Sequence, residues 1–516
     1  MTELSRRSFI TRSAAGAASL SLVGAAAAKA NAAPSIKFDE TYDVLVVGAG
    51  LSGLAAAVMA AREGAKVYLI EKRAWCGGDA LLSEGVFHAW HSKVHDALAV
   101  EGSPDLSFES FWSEQCRGVM DDDVMNNVRD NTPESPIYHA YNKRNLEVMK
   151  RVAHNTAAAI NFMADYGIGF KPFDAQHRFL HCVERNEMSR LTKMMLDELK
   201  SRGVKRINGV RAQELLQGSD GGVDGVRIEY VLGGRKGQTL AIGAKKTILA
   251  TGGFLNNEDM MKRYKHYWSD IPFGWSHIGE GIPDDHTGDG IEMGKRIGAS
   301  LESMESVPKF YAAGEKGVTI PSWLIFYFDK AYFLSPEGKR LHNEFIGWYT
   351  GSVLSLRRKG FKHGFVLFDE ETFAGANHDY WHFEECMKTN GLFKADTPEA
   401  LAAKVGLDPK VLRETIERIN RDAAAKNDTE FGRTDHFFRP LKAPFYISAK
   451  GYPVRYKTEG GLEVNPDFEV LRSIDDKPIG RLYAVGAGCG SMTTRNCDVL
   501  SAGMLAGRTA AKSLKS

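Results

Sequence analysis

Three glycines near the start of the chain have the spacing that binds a nucleotide pyrophosphate. Gly48, Gly50 and Gly53 form a G-x-G-x-x-G motif directly after a short apolar run, and an alanine-rich stretch follows them. This spacing lets backbone N–H groups and the N-terminus of the next helix approach a pyrophosphate. A second apolar run ends at Glu71, where a carboxylate can hold a ribose 2′-hydroxyl. Strand, glycines, helix, strand and acid together predict a dinucleotide-binding unit rather than a glycine-rich turn without a ligand.

Two further glycine-rich segments are candidates for contact with the same ligand. Trp75 to Val86 is too rich in small residues for a core element. Backbone held close to a ligand is one reason for Gly77, Gly78 and Gly85, and a plain surface loop is the alternative. Lys246 to Phe254 reads as an apolar strand that ends in a Gly-Gly turn, which predicts a second contact between backbone and cofactor.

The run HTGDGI, His286 to Ile291, predicts the start of a helix. Thr287 and Asp289 lie where an N-cap and ligand-facing backbone amides are expected. A helix cap without a ligand is the alternative.

Length and composition limit the class of protein. With 516 residues the chain is expected to form two or three domains, and a net charge of +1 gives no indication of nucleic-acid binding. The six cysteines form neither C-x-x-C nor C-x-x-C-H, so no c-type haem, iron–sulfur or zinc site is predicted. Buried free thiols are expected, with a disulfide as the alternative.

The N-terminus has the pattern of an export signal. Ser5 to Ile10, SRRSFI, is a twin-arginine pattern, an apolar run follows over 14–28, and A-x-A sites end at Ala30 and Ala32. We therefore expect a signal peptide over 1–32 and export to the periplasm by the twin-arginine translocase; an arginine-bearing tail is the alternative. This route carries folded proteins, which suits a protein that loads a cofactor before export.

The rest of the chain divides by its patterns into helical, strand-rich and aromatic segments. The residue pattern from Phe108 to Arg202 predicts helices. The pattern over residues 204–231 predicts a strand and a hairpin. A helix pair is expected over 398–425 and a final helix over 499–512. Aromatic residues are concentrated after 305, and although most of them are expected in the core, such an insertion commonly supplies the substrate half of a site. They are Phe310, Tyr311, Trp323, Phe326, Tyr327, Phe328, Tyr332, Phe333, Phe345, Trp348 and Tyr349.

These pieces together resemble the flavoprotein family of soluble fumarate reductases, succinate dehydrogenase flavoprotein subunits, urocanate reductases and 3-ketosteroid dehydrogenases. The resemblance covers residues 40–515. It implies an α/β fold, with a Rossmann-like FAD-binding domain from 40–304 and 458–515 and an inserted α+β capping domain over 305–457. The segments that carry it are VGAGLSGLAAA, GGDALLSEG, ILATGGFLNN, TGDGIEMGKRIGA, SPEGKRLHNE, NDTEFGR, KTEGGLEVNP and RLYAVGAG.

The resemblance also implies which residues bind FAD. Family members that attach FAD covalently use a histidine in the loop that here reads GGDALLSEG, and because no histidine stands there we expect non-covalent FAD. The positions that match the family's FAD contacts are Gly48, Ala49, Gly50, Ser52, Gly53, Glu71, Lys72, Gly77, Gly78, Asp79, Gly85, Val210, Ala250, Thr251, Gly252, Asp289, Gly486 and Leu500.

The substrate positions depart from those of fumarate reductases. Trp348 stands where the family has its proton-donating arginine, and Lys457 replaces the histidine of H-T-x-G-G. The histidine of the family's HPT motif falls near Phe310, and an acid and an arginine of its proton relay fall near Leu324 and Tyr327. A small dicarboxylate needs several cations, and this pocket has exchanged most of them for aromatic surface, so fumarate is not the expected substrate.

Arg495 stands near the place of the family's C-terminal substrate arginine. A guanidinium grips a carboxylate bidentately and would orient an acid with an apolar or aromatic remainder. Pairing with an acid such as Asp498 is the alternative function of this arginine.

The leading hypothesis is a periplasmic FAD-dependent reductase of an activated C=C bond. Reduced FAD would deliver hydride from N5 to the β-carbon, and Arg495 or Lys457 would withdraw charge through the carboxylate or carbonyl. Tyr349 is the first candidate for the proton donor to the α-carbon, followed by Tyr327 and Tyr311. A phenol, with an unperturbed pKa of about 10, can act as an acid without an unusual environment.

Two other functions compete with this one. A 3-ketosteroid dehydrogenase-like or cyclic-ketone desaturase would run the chemistry in the oxidative direction, with tyrosines as bases. The P-G-x-G stretch of the steroid enzymes is absent, and Arg495 to Asp498 stands there instead. A non-catalytic flavin electron carrier is an alternative of another class.

An electron donor is implied by what the chain lacks. Respiratory relatives often carry haem or a second flavin, and this sequence shows neither motif. We therefore expect a separate periplasmic donor, such as a c-type cytochrome, for an enzyme of anaerobic respiration. No second dinucleotide fingerprint points to a nicotinamide.

Overall fold

The computed structural model describes residues 36–83, 85–90, 92–94, 107–109, 111, 145–172, 180–184, 186–265, 269–270, 285–304, 309–314, 331–344, 352, 355–375, 386–435, 437–491 and 495–515. Among them, no helix combines the length and the apolar composition needed to cross a membrane. The helices are α1 (Leu51–Arg62), α2 (Leu146–His154), α3 (Thr156–Asp165), α4 (Glu187–Ser201), α5 (Glu258–Tyr264), α6 (Asp289–Arg296), α7 (Glu370–Ala374), α8 (Pro398–Val405), α9 (Pro409–Ala424) and α10 (Asn496–Lys512).

The strands belong to one large sheet and several small ones. They are β1 (Glu40–Val47), β2 (Val67–Glu71), β3 (Val86–His88), β4 (Phe170–Pro172), β5 (Leu180–Val183), β6 (Lys205–Asn208), β7 (Val210–Gln217), β8 (Val223–Tyr230), β9 (Thr239–Leu249), β10 (Leu301–Glu302), β11 (Lys309–Ala313), β12 (Tyr332–Leu334), β13 (Phe365–Asp369), β14 (Leu392–Ala395), β15 (Phe445–Ser448), β16 (Tyr452–Lys457), β17 (Gly461–Leu462), β18 (Glu469–Leu471) and β19 (Pro478–Ala484).

A mostly parallel sheet carries the nucleotide motif. Its strands run in the order β18-β19-β9-β1-β2-β6, and the β7–β8 hairpin joins it through β8 and the first part of β9. Strands β19, β9, β1, β2 and β6 pair in parallel. The run 44–47 of β1 is buried on both faces, as a parallel strand between covering layers should be. The predicted Rossmann-like α/β fold is confirmed.

Helices α1 and α10 cover this sheet and lie against each other through small residues. A Cβ on Gly503 would stand 2.2 Å from the Ser52 carbonyl oxygen, and one on Gly507 would stand 2.2 Å from that of Ala56. Only glycine permits backbones to approach so closely. The start of α1, which carries the G-x-G-x-x-G motif, is therefore held in place by the C-terminal helix.

One predicted segment was wrong in part. Helices α2, α3 and α4 form between residues 108 and 202 as predicted, but strands β4 and β5 interrupt the segment that was predicted to be helical. Both strands belong to an antiparallel sheet with β3, which lies far earlier in the chain. Pairing with a distant strand overrides the local helical pattern, and a periodicity analysis does not detect it.

A second antiparallel sheet, in the order β12-β13-β15-β14, lies within residues 332–448. The predicted helix pair forms as α8 and α9, and both helices contribute to the apolar core of this sheet. That core consists of Tyr332, Leu334, Phe365, Leu367, Leu401, Ala402, Leu407, Leu412, Ile416, Ile419, Ala423, Phe438, Leu441, Phe445 and Ile447.

A buried ion network joins the segments SPEGKRLHNE and NDTEFGR. Arg340 donates to Glu344 at 2.8 Å and to Asp428 at 2.9 Å, and Arg433 donates to Glu344 at 3.1 Å. The side chains of all four are essentially inaccessible to solvent. Burial opposes ionisation of Glu344, but the two guanidinium groups lower its pKa to about 2. The carboxylate is thus held charged by two arginines.

Replacing Gly503 with valine should destabilise the protein by about 1–3 kcal/mol or more, because the added side chain meets the α1 backbone. The control is Gly234→Ala, where a Cβ has no heavy atom within 4 Å. Thermal unfolding of the two variants checks this expectation. Equal midpoints would contradict the close approach of α1 and α10.

Glu344→Gln should lower the stability of the fold by about 3–5 kcal/mol, because it leaves two buried arginines without their shared carboxylate. The folded pKa of Glu344 lies below its ordinary value, so its contribution is present above about pH 4.5 and is lost as the pH falls towards 2. Urea unfolding at pH 7 and pH 3 measures both effects. Glu399→Gln, in an exposed pair with Arg413, should cost less than about 1 kcal/mol at either pH.

Candidate functional site: a dinucleotide cradle

The glycine loop lies between the ends of β1, β2 and β9. Gly48 has a φ of 103°, and a Cβ there would stand 2.3 Å from the Ala250 carbonyl oxygen. A Cβ on Gly53 would stand 1.9 Å from the Gly48 carbonyl oxygen. The Gly48 N–H donates to the Ile70 carbonyl at 2.8 Å. These contacts leave no room for side chains at Gly48 and Gly53, so the sequence motif corresponds to a real steric requirement.

Helix α1 starts at this loop without a side-chain cap. Gly50 is its N-cap residue, and the first turn contains no acid. The first N–H groups of an α-helix have no partner within the helix, so an uncapped start suits an anionic pyrophosphate. Gly77 closes the loop, because its N–H donates to the Ala49 carbonyl at 2.7 Å and it forms a β-bridge with Gly50. A Cβ on Gly78 would stand 2.9 Å from the Gly50 Cα.

Glu71 is tied to the same loop by both carboxylate oxygens. Oε2 accepts from the Ala49 N–H at 2.7 Å, and Oε1 accepts from the Arg73 N–H at 2.8 Å. A carboxylate oxygen has two acceptor positions, so each can accept a further bond from a ribose hydroxyl. The contact of Glu71 with a ribose stays a prediction.

Asp289 is enclosed by cations. Its carboxylate accepts from Lys72 at 3.2 Å and from Arg211 at 2.6 and 3.0 Å, and Thr287 Oγ1 donates to it at 2.8 Å. Burial lowers the pKa of Lys72. Burial would raise the pKa of Asp289, but Lys72 and Arg211 hold it below its usual range. Asp289 therefore ties the end of β2 and the start of β7, where Val210 lies, to helix α6. Sequence reasoning assigned Asp289 to FAD and missed Arg211.

The second glycine turn lies beside the first. The Ala250 N–H donates to the Val47 carbonyl at 2.8 Å, and Thr251 Oγ1 accepts from the Gly290 N–H at 3.2 Å. Gly252 and Gly486 both have positive φ, and a Cβ on Gly486 would stand 2.5 Å from Ser52 Oγ. The structure thus brings the predicted residues around Ala250 and Gly486 to one edge of the sheet.

Two further predicted residues lie on neighbouring elements. Leu500 is buried in α10, which packs on α1. Gly85 has a φ of 70°, and its carbonyl accepts from the Val183 N–H at 3.0 Å. A Cβ on Gly85 would meet the Val183 side chain at 2.3 Å, so close packing accounts for this glycine without a ligand.

A cluster of charged residues that sequence reasoning largely missed lies beside Asp79. His286 Nε2 stands 2.9 Å from Asp79 Oδ1 and 3.4 Å from Asp285 Oδ2. Arg73 contacts Asp285 and stands 3.6 Å from Asp79. The two carboxylates and the imidazole could converge on a metal ion, but Arg73 already supplies a cation there, and we assign no metal. The signal in the sequence was His286, a titratable residue directly before the T-G-D-G run.

Two predicted substrate residues border the same region. Lys457 ends β16 and contributes to the electrostatic environment of Asp79. Arg495 is the N-cap residue of α10. The next residue, Asn496, donates to Ser83 Oγ at 2.6 Å and to the Val86 carbonyl at 3.1 Å, which places the start of α10 against the segment after Asp79. The roles of both cations stay predictions.

Three other candidates, Tyr327, Trp348 and Tyr349, lie outside the described residues. Tyr311 lies on β11, which pairs with β16, and Lys309 stands opposite Lys457 in that pair. Sequence reasoning had placed Phe310 near the corresponding family histidine. A bulge between Lys309 and Phe310 shifts the register at this position.

Comparisons with known proteins agree with this cradle. The chain matches the FAD binding domain family over residues 43–497. It is 26% identical over 493 residues to the NADH:fumarate oxidoreductase of Klebsiella pneumoniae (strain 342), covering 92% of this chain and 48% of that relative. The chain thus spans about half the length of that protein. It is 25% identical over 508 residues to the acrylate reductase flavoprotein subunit of Shewanella woodyi, covering 95% of this chain and 93% of the relative.

The fold is also found among solved structures. The 3-ketosteroid-Δ4-(5α)-dehydrogenase from Rhodococcus jostii RHA1 gives a TM-score of 0.64 at 20% identity, covering 93% of this chain and 98% of that one. At this identity the likeness shows the fold alone. The uncapped helix start, the glycines that tolerate no side chain and the tethered Glu71 fit a flavin dinucleotide. The chain belongs to the FAD-binding domain family, and it is an oxidoreductase with FAD as its cofactor.

Proposed function

We propose that this protein reduces the activated C=C bond of an unsaturated carboxylic acid whose remainder is aromatic or apolar. The observation that carries the proposal is that Asn496, the residue after Arg495, donates to Ser83 Oγ, while Lys457 acts electrostatically on Asp79 in the same turn next to the nucleotide loop. The names of two relatives, an NADH:fumarate oxidoreductase and an acrylate reductase flavoprotein subunit, refer to unsaturated carboxylic acids. The aromatic residues after 305 supply apolar surface for the remainder of the substrate.

Each of the proposed side chains has a separate role in the reduction. Bound FAD, once reduced, supplies a hydride from N5 to the β-carbon. Arg495 binds the substrate carboxylate bidentately, and Lys457 stabilises the negative charge that develops on it. Tyr349 donates its phenolic proton to the α-carbon, with Tyr327 and Tyr311 as further candidates. The C=C bond thereby becomes a C–C single bond after the gain of one hydride and one proton.

The chain supplies this chemistry from two domains in the proposed arrangement. Residues 40–304 and 458–515 bind FAD, and residues 305–457 cap the site. The separate sheet of β12, β13, β15 and β14, with an apolar core of its own, supports the division. FAD is held without a covalent bond in this proposal, since the loop GGDALLSEG contains no histidine.

Export and electron supply complete the proposal. The pattern SRRSFI near the N-terminus supports export to the periplasm by the twin-arginine translocase, with 1–32 as the signal peptide; these residues lie outside the described part of the chain. A separate periplasmic donor, such as a c-type cytochrome, supplies the electrons. The lack of a second dinucleotide motif in the sequence supports a donor other than a nicotinamide.

Arg495→Ala should raise the KM for an aryl enoate by about 10- to 100-fold, because a charged hydrogen-bond pair to the carboxylate is lost. Arg508→Ala, on the same helix but near Glu63, is the matched control and should leave the KM unchanged. Steady-state kinetics with a reduced dye as electron donor gives both values. Equal KM values for the two variants would rule out the carboxylate clamp.

Tyr349→Phe should slow reoxidation of the reduced enzyme by the same substrate about 100-fold or more, since the proton donor to the α-carbon is removed. Tyr446→Phe removes a phenol that donates to Glu370 in the β15 region and should keep the wild-type rate. Stopped-flow flavin absorbance measures both rates. If the Tyr349→Phe enzyme is reoxidised at the wild-type rate, the proton donor to the α-carbon is Tyr327 or Tyr311 instead.

A further inference from the structure

Arg211 joins two segments that lie far apart in the sequence. It stands near the start of β7 and donates to Asp289, at the start of α6, through Nη2 at 2.6 Å and through Nε at 3.0 Å. The Arg211 side chain is 39% exposed, whereas that of Asp289 is 11% exposed. The guanidinium is therefore partly in solvent, and the carboxylate that it binds faces the interior.

The Asp289 carboxylate is fully engaged by protein groups. Oδ1 accepts from Arg211 at 2.6 Å and from Thr287 Oγ1 at 2.8 Å. Oδ2 accepts from Arg211 at 3.0 Å and from Lys72 at 3.2 Å. An ionised carboxylate offers about four acceptor positions in total. Because these four bonds occupy them, the Asp289 side chain has no position left for a hydroxyl of FAD, and we infer that its influence on the cofactor is electrostatic.

This carboxylate lies next to both glycine turns. The following residue, Gly290, donates its N–H to Thr251 Oγ1 in the second turn at 3.2 Å. Lys72 directly follows Glu71, and Glu71 Oε2 accepts from a backbone N–H of the first turn at 2.7 Å. The first turn fits the anionic pyrophosphate, which an uncompensated negative charge nearby would repel.

Two cations compensate the charge of Asp289. Burial would raise the pKa of Asp289, but Lys72 and Arg211 hold it below its usual range, so the carboxylate is ionised at neutral pH. Burial lowers the pKa of Lys72, while the charges of Asp289 and Glu71 both oppose this shift. Lys72 is thus shared between two carboxylates. Loss of Arg211 would leave both of them with the single ammonium of Lys72.

We propose that Arg211 promotes the binding of FAD by compensating the charge of Asp289 beside the pyrophosphate site. Arg211 acts through Asp289 and takes no part in electron transfer. Asp289 in turn acts on FAD through its charge and not as a hydrogen-bond acceptor. This role is independent of the substrate, and it rests only on the non-covalent binding of FAD that is part of the proposed function.

The test compares Arg211→Gln with Arg211→Lys in the FAD-loaded protein. Glutamine keeps a hydrogen-bond donor for Asp289 without the charge, whereas lysine keeps the charge. Arg211→Gln should raise the Kd for FAD about 10-fold, since one negative charge near the pyrophosphate loses its compensation. Arg211→Lys should stay within about threefold of wild type. The fluorescence of flavin released on serial dilution of the holoenzyme gives each Kd, and equal values for the two variants would overturn the proposal.

Adding Asp289→Asn to Arg211→Gln separates the effect of charge from that of contact. If the carboxylate acts through its charge, its removal should bring the Kd for FAD back to within about threefold of wild type. If the carboxylate instead holds FAD by a hydrogen bond, the second substitution cannot restore binding. A double variant that binds FAD no better than Arg211→Gln alone would therefore overturn the proposal.

Salt provides a readout that a simple loss of stability would not change. The Kd of Arg211→Gln relative to wild type should fall about twofold or more between about 0.1 M and about 1 M salt, where the Debye length decreases from about 10 to 3 Å. The matched control is Arg227→Gln, which removes a guanidinium that pairs with Glu214 at 2.9 Å on the same hairpin. The Kd of this control should equal that of wild type. A ratio that does not depend on salt, or an equal loss of FAD in the control, would contradict the proposed role of Arg211.

Acid precipitation of the wild-type protein tests non-covalent binding separately. The flavin is expected in the supernatant. Flavin in the pellet would overturn non-covalent binding and this inference with it. Flavin in the supernatant together with equal Kd values for Arg211→Gln and Arg211→Lys would overturn this inference alone.

Discussion

The site depends on backbone groups that approach each other more closely than side chains would permit. Gly48 lies against the carbonyl of Ala250, Gly53 lies against the carbonyl of Gly48, and Gly503 lies against the first turn of α1. These contacts bring three strand ends and a helix N-terminus together at one edge of the parallel sheet. The dinucleotide cradle is a consequence of that packing, and Glu71 is fixed to it by two backbone N–H groups.

Ion pairs connect this rigid centre to the segments around it. Asp289 holds Lys72 and Arg211, so the end of β2, the start of β7 and helix α6 are linked by charge. The cluster around His286 and Asp79 links the next turn in the same way. Because these pairs are partly buried, salt screens them less than it screens surface pairs. The charges around the cofactor are therefore part of its environment as well as of the fold.

The sequence was sufficient for the nucleotide-binding half and much less so for the substrate half. Gly48, Gly53 and Glu71 could be assigned because the chemistry of a pyrophosphate and a ribose fixes their spacing. Arg211 and Asp285 could not, since their partners, Asp289 and Arg73, lie far away in the sequence and no local pattern records the pairing. The strands β4 and β5 were missed for the same reason. The roles of the substrate residues stay predictions, and three of these residues, Tyr327, Trp348 and Tyr349, lie outside the described part of the chain.

The central claim is that the enzyme transfers the electrons of its flavin to an unsaturated acid. The most direct measurement is anaerobic stopped-flow reoxidation of the dithionite-reduced holoenzyme, with flavin absorbance followed against aryl enoates, alkyl enoates and cyclic enones. Fast reoxidation by aryl or alkyl enoates, and slow reoxidation by enones that lack a carboxylate, is the predicted result. Slow reoxidation by every acid, together with bleaching of the oxidised enzyme by saturated cyclic ketones, would contradict the claim and establish a dehydrogenase.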